Sequence, residues 1–318
     1  MLTLPFSKFR VHSNNGFHYT EMLMRRLEVT FPSDGDDCGA WLYLPDTSRP
    51  APVIVMAHGL GGTREMRLDA FAHRFCEAGF ACLVFDYRHF GSSGGEPRQL
   101  LDVGKQLQDW RAAIAFARTR TDVDAERVIV WGSSFGGGHA LTMAADNAHV
   151  SAVIAQCPFT DGLASVCALP LGSLIKVTAR AIRDQFRAWL GGHPVTIPIT
   201  GKPGEAALMV APDAEPGYMK LVPNDMSAVF RNYVAARFAL QIIRYFPGRK
   251  TSRIACPVLF CVCDPDTVAP TRTTLRHAKR APKGLVNIYP FGHFDIYVGY
   301  AFERAVSDQI TFLQRFVN

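Results

Sequence analysis

The 318-residue sequence predicts an α/β protein built on a mostly parallel sheet flanked by helices, with a helical segment inserted late in the chain. Three observations carry that reading. Short apolar runs rich in valine and isoleucine recur along the chain, helical patterns separate them, and the alternation breaks once before it resumes. Parallel neighbours need a crossover, which a helix supplies, and strands covered on both faces read as continuous apolar runs.

Pro52-Val-Ile-Val-Met-Ala57 is the first such run, and a helical stretch over 64–78 follows it. Cys82-Leu-Val-Phe85 comes next. It precedes a helix whose residues Val103, Leu107, Trp110, Ile114 and Ala117 step by 4, 3, 4 and 3, which is one helical face. Arg127-Val-Ile-Val130 leads into another helix, and Ala152-Val-Ile-Ala155 is the strand after it. The alternation resumes at Pro257–Cys263 and Val286–Tyr289. A final helix carries Phe302, Val306, Ile310, Leu313 and Val317 on one side.

Between Thr160 and Lys250 the pattern differs. Two amphipathic helical patterns, around Ile175 to Leu190 and around Phe230 to Phe246, are joined by a proline- and glycine-rich stretch from His193 to Pro223. An insertion between late strands of such a sheet is most simply a cap over its carboxyl edge, where ligands bind, with a peripheral decoration away from the site as the plainer alternative. The expected division is a core of residues 1–159 and 251–318, with a helical cap at 160–250. This segment holds 11 Lys or Arg against 6 Asp or Glu, so it supplies most of the chain's excess of 34 over 28. Such charge either steers anionic substrates or is simply a solvated face.

Composition excludes several classes. Hydrophobic residues at 48% and charged residues at 19% are the balance of a folded protein. The net charge of +6 comes without a run of five basic residues, so nucleic acid is not an expected partner. No stretch approaches the ~18 apolar residues of a membrane span. The start, MLTLPFSKFRVHSNNGF, lacks the apolar core and cleavage site of a secretory signal. Cys82, Cys157, Cys256, Cys261 and Cys263 lie in or beside buried strands, where cysteine packs as a small apolar residue. There is no CxxC and no HExxH. A reduced, cytoplasmic protein without metal is expected.

The chemistry concentrates in Trp131-Gly132-Ser133-Ser134-Phe135-Gly136-Gly137-Gly138, between a buried strand and a helix. It matches G-x-S-x-G with Ser134 at its centre; centring on Ser133 would put Trp131 where a glycine is needed. A sharp strand-to-helix turn strains the serine, and glycines two positions either side keep Cβ atoms out of the turn. A serine hydroxyl needs a base to take its proton and an acid to orient that base. In this architecture both follow the serine, each just after a strand. Asp264 and Asp266 compete for the acid; the loop Asp266-x-x-x-Pro270 opening a helix favours Asp266. His293, after the last strand and preceded by Gly292, is the base. His12, His18, His73, His89, His139, His149, His193 and His277 read as surface or satisfied core groups.

His58-Gly59-Leu60-Gly61-Gly62 follows the first buried strand. A dinucleotide fingerprint starting at Gly59 fails because position 64 is Arg64. The turn fits instead half of an oxyanion hole, in which the backbone N–H of Leu60 joins that of Phe135, with His58 shaping the loop.

HGLGG, DYRHFGSSGGEPRQ, WGSSFGGGH, DPDTVAP and FGHFDIY, in this order, resemble the α/β-hydrolase superfamily. Within it they are similar to the bacterial and fungal dienelactone-hydrolase-like and polyketide-transferase-like branch, over roughly 25–160 and 250–318. The resemblance implies Ser134 as nucleophile, Asp266 as acid, His293 as base, Leu60 and Phe135 as oxyanion donors, and no cofactor. The block Asp86–Gly91 matches a turn that reads as structural. The implied substrate is a small-molecule acyl ester or thioester, hydrolysed through an acyl-enzyme or transferred to another acceptor. A non-catalytic binding module is the remaining class, although such proteins usually lack a triad member. Epoxide and haloalkane hydrolases carry aspartate where Ser134 stands. Phe186, Trp189, Leu190, Phe230, Tyr233 and Phe238 are candidates to line an apolar acyl pocket, with the cap's own packing as the plainer role. The exposed face of the last helix is a candidate dimer surface.

Overall fold

The computed structural model describes residues 24–146, 149–227 and 230–317. The start that argues against a secretory signal, with His12 and His18, lies outside the described residues. The first elements are two strands that the apolar runs do not reveal, β1 (Arg25–Ser33) and β2 (Asp36–Leu44). Their turn, Asp34-Gly35, has φ of 47° and 93°, the pair of left-handed residues that a two-residue hairpin demands. β1 exposes its polar side chains, so it has no continuous apolar run to find.

The strands and helices of the alternation follow in order: β3 (Ala51–Ala57), α1 (Leu68–Glu77), β4 (Ala81–Phe85), α2 (Val103–Thr119), β5 (Val123–Ser133), α3 (Phe135–Asp146) and β6 (Val150–Gln156). After the inserted segment come β9 (Val258–Cys263), α8 (Thr271–Ala278), β10 (Gly284–Tyr289) and α9 (Gly299–Phe316). They make one eight-stranded sheet in the order β1-β2-β4-β3-β5-β6-β9-β10, parallel from β4 to β10 and antiparallel at β1-β2-β4. Every residue of β3 and β9 is buried, as strands covered on both faces require. From β3 the chain first steps to β4 on one side and then to β5 on the other. The loops after β3 and β5 therefore flank one crevice, the switch point where ligands bind.

The turn at 86–91 is structural, as expected. Buried Arg88 pairs with buried Asp109, which also accepts hydrogen bonds from Ser33 Oγ at 2.7 Å and the Arg88 N–H at 3.0 Å. The same guanidinium donates to Asp34 and Gln108, clamping the β1–β2 hairpin to α2.

The segment between β6 and β9 holds α4 (Gly162–Cys167), α5 (Leu171–Trp189), β7 (Thr196–Pro198), α6 (Ala214–Met219), β8 (Tyr233–Ala235) and α7 (Ala239–Ile242). α5 matches the first helical pattern. The second, Phe230 to Phe246, does not form one helix: β8 pairs antiparallel with β7, a 3-10 turn follows at 236–238, and α7 is only four residues long. Tertiary hydrogen bonds override the periodicity. The Asn232 side chain accepts from the Thr200 N–H and donates to the Thr200 carbonyl, while Gln99 Nε2 donates to the Tyr233 carbonyl at 2.9 Å. Among the described residues no helix is long and apolar enough to cross a membrane.

Candidate active site

β5 ends at Ser133 and α3 begins at Phe135, so Ser134 alone makes the turn, with φ of 54°. A non-glycine residue in that region is strained, and it persists because its surroundings hold it. The Ser134 N–H donates to the Gln156 carbonyl at 2.8 Å, and the Ser134 carbonyl accepts from the Phe159 N–H at 2.8 Å. The flanking glycines have no freedom. A Cβ on Gly132 would strike the Gly136 carbonyl, and one on Gly136 would strike the His58 carbonyl. On Gly59 it would lie 3.0 Å from Ser134 Cβ, so the loop after β3 packs directly on the serine.

The three residues singled out for acid, base and nucleophile meet here. His293 Nε2 lies 3.0 Å from Ser134 Oγ, and His293 Nδ1 lies 2.8 Å from Asp266 Oδ2. Asp266 is itself oriented: its Oδ1 accepts from the Val268 and Ala269 N–H groups at 2.9 and 2.7 Å. Burial pushes the His293 pKa down, but the Asp266 carboxylate and the neighbouring Cys157 together outweigh it and hold the imidazolium above the ordinary histidine range. Asp264 is exposed and makes no such contact.

Leu60 and Phe135 both border the cavity beside Ser134. Phe135 opens α3, so its N–H belongs to a helix end with no intrahelical acceptor. The Tyr218 hydroxyl donates to the Leu60 carbonyl at 2.8 Å, and Ile199 fills the space where Gly61 lacks a side chain. Gly217 lies against the Phe294 ring, next to His293. His58 shapes the loop as read: Nδ1 bonds the Gly59 carbonyl at 2.8 Å and the ring stands edge-on to Tyr87. Its burial lowers its pKa to about 4, so it is neutral at physiological pH. His139 is a satisfied core group between Tyr245 and Gln106.

From Ser134 a cavity of about 940 Å³ extends under the inserted segment. Its walls are mainly apolar, with Leu169, Leu174, Val177, Met209, Leu240 and Val268 among them, and Thr178, Gln185 and Gln241 as polar contacts. Among the described residues no group of three His, Cys, Asp or Glu is placed to hold a metal ion.

Residues 48–293 match the family described as serine aminopeptidase, S33. The chain belongs to this family. It is 56% identical over 291 residues to the quorum-quenching protein AidA of Acinetobacter baumannii (strain MDR-ZJ06), covering 92% of this chain and 95% of that one. It is also 29% identical to polyketide transferase ATR5 of Stachybotrys chlorohalonatus (strain IBT 40285), covering 92% and 98% of the two chains. The fold superposes on the α/β hydrolase GrgF from Penicillium sp. sh18 with a TM-score of 0.77 and 23% identity, over 92% of this chain and 99% of that one. DcsB in complex with its substrate analogue gives a TM-score of 0.78 and 24% identity, over 92% and 100%.

The six residues of this S33 chain offered either as pocket lining or as the cap's own packing divide between several roles. Only Trp189 borders the cavity. Phe186 and Leu190 are 58% and 85% exposed, Phe230 packs on Tyr218, and Phe238 packs on Phe135. Tyr233 lies in β8. α5 is rotated so that Leu174, Val177 and Thr178 face the cavity, and apolar periodicity alone does not say which face that is. Tyr218, which fixes the Leu60 loop, gives no signal in the sequence; only the fold brings it there.

Proposed function

We propose that this S33-family chain is a serine hydrolase that cleaves a carboxylic ester or thioester through an acyl-enzyme on Ser134. The observation that carries this reading is the unbroken relay from Asp266 to His293 to Ser134, at 2.8 and 3.0 Å, on a strained elbow at the cavity floor. Ser134 Oγ attacks the carbonyl carbon as His293 takes its proton, and the carbonyl electrons move onto oxygen. The N–H groups of Leu60 and Phe135 stabilise that oxyanion, a term of about 3–4 kcal/mol for one donor in related chemistry. The intermediate collapses to the acyl-enzyme, and His293 returns the proton to the leaving alcohol or thiol. Water, activated by His293, then releases the acid. Asp266 keeps the imidazole in the tautomer whose Nε2 accepts.

Residues 160–250 act as a cap that supplies the acyl pocket. The largely apolar cavity suits an apolar acyl group with its ester bond at Ser134. Similarity to a quorum-quenching protein points to a small signalling molecule whose ester, open-chain or cyclic, is broken here. With eight free cysteines, six of them buried, the protein fits a reducing cytoplasm. Similarity to a polyketide transferase favours a second outcome, in which an alcohol or amine replaces water in deacylation.

Fluorophosphonate labelling read by intact mass tests the nucleophile. One adduct is expected on the wild type and none on Ser134→Ala; a folded wild type that takes no adduct refutes the proposal. Incubating the acyl-enzyme with and without an added alcohol separates hydrolysis from transfer by product.

A further inference from the structure

α5 divides into four lengthwise rows. Val177, Ala181 and Asp184 are buried, and Asp184 fixes the helix by accepting from the Val195 N–H at 2.7 Å and from the Arg237 guanidinium at 2.8 Å. Leu174, Thr178 and Gln185 face the cavity. The third row carries Leu171, Ile175, Ile182, Phe186 and Trp189, at steps of 4, 7, 4 and 3, and all of them are exposed, from 47% for Ile182 to 72% for Leu171. Leu190 continues it at 85%. Contiguous apolar patches of this extent mark interaction surfaces.

Along the outer side of this stripe runs a basic row, Lys176, Arg180, Arg183 and Arg187, at steps of 4, 3 and 4. Lys176 reaches the Gly204 carbonyl, whereas Arg180, Arg183 and Arg187 have no ion pair among the described residues. The only acid on the helix, Asp184, is buried and taken by Arg237. On its other side the stripe adjoins the cavity, which Trp189 borders while 71% exposed.

We infer that α5 docks on a membrane surface carrying anionic phospholipid, its apolar stripe seated among the acyl chains and its basic row on the headgroups. An apolar face edged by Lys and Arg, with Trp and Phe among its anchors, is what an interfacial helix presents. Charge weighs against antiparallel pairing with a second copy of this chain. Two α5 helices paired antiparallel about a twofold axis would set both basic rows on the same side of the seam, like against like. Docked on lipid, the cavity mouth meets the phase in which an apolar acyl substrate dissolves. The docking itself does not depend on the reaction assigned to Ser134.

The test uses the whole protein and an intrinsic probe. Of the four tryptophans, Trp41, Trp110 and Trp131 are buried, so a change in emission reports Trp189. With vesicles of phosphatidylcholine and phosphatidylglycerol, co-sedimentation and a blue shift are expected, both weakened by about 0.5 M NaCl and in pure phosphatidylcholine. The pair Ile182→Ser and Phe186→Ser should abolish both signals. The pair Arg183→Glu and Arg187→Glu should lower partitioning by more than about tenfold. These side chains are exposed and outside the cavity wall, and unchanged circular dichroism confirms folding. Absence of co-sedimentation and of the shift in the wild type overturns the inference. So does wild-type partitioning of the Arg183/Arg187 variant, or a dimer in sedimentation velocity that the Ile182/Phe186 pair disrupts while vesicles go unbound.

Discussion

The elbow at Ser134 and the inserted segment border the same cavity but are held by different means. At the elbow, backbone meets backbone: Gly132, Gly136 and Gly59 lie where any Cβ would press on a neighbouring main chain or on Ser134, and Ser134 takes a conformation that few residues tolerate. In the segment the strands β7 and β8 are three residues long, and the longest helix buries only Ser173, Val177, Ala181 and Asp184. Reaction geometry thus rests on the stiffest part of the molecule. The wall of the cavity rests on short elements whose buried residues, Ile197, Ile199, Tyr218, Val234 and Phe238 among them, pack onto the main core. Substitutions in the two parts should therefore fail in different ways.

The contrast is sharpest for the nucleophile. Ser134→Ala should lower kcat by about 10⁴–10⁶ while the unfolding midpoint stays close to wild type. Retained turnover would break the comparison at its base. Asp266→Asn should cost about 10⁴ in kcat and also move the pH profile. His293 must be neutral to accept the serine proton, and Asp266 raises its pKa, so wild-type activity should climb only on the alkaline side of the ordinary histidine range. Without the carboxylate that limb should shift to lower pH. Gly136→Ala, which adds a single methyl against the His58 carbonyl, should destabilise the fold by roughly 3 kcal/mol or more, as read by urea unfolding. The smallest effect belongs to the inserted segment. Leu174→Ala should leave the unfolding midpoint within about 1 kcal/mol of wild type, the modest cost of trimming a half-exposed wall. It should still raise KM for long-chain esters more than for acetyl esters.

The same contrast governs what the amino-acid sequence discloses. The strands β3, β4, β6, β9 and the Val128–Ser133 half of β5 are legible because burial leaves a nearly unbroken apolar run, whereas β10, at the sheet edge and buried only at Tyr289, shows through the short Val286–Tyr289 pattern. Ser134, Asp266 and His293 are legible because their chemistry requires particular residue types directly after particular strands. β1 escapes that reading, since an edge strand with one wet face has no such run; β2 is an interior strand buried from Cys38 to Leu44, and the Asp34-Gly35 turn is the signal that marks the pair. The segment from Phe230 to Phe246 has helical spacing, yet Gln99 and Asn232 draw its backbone into β8, and those partners lie 134 and 32 residues from the groups they bind. On α5, apolar residues occupy both the cavity face and the outer face, so spacing identifies the helix but not which side lines the pocket.

The hydrogen bond from Tyr218 to the Leu60 carbonyl limits how this chain can exchange parts with its relatives. An exchange at the obvious junctions, near 160 and 250, would remove Tyr218 from Leu60, Ile199 from Gly61 and Gly217 from Phe294 in one stroke. A chimera carrying a relative's insert would keep its triad and still present a loosened loop at the reacting carbonyl. In this chain the cavity is therefore more readily altered by changing wall residues in place than by transplanting the whole segment.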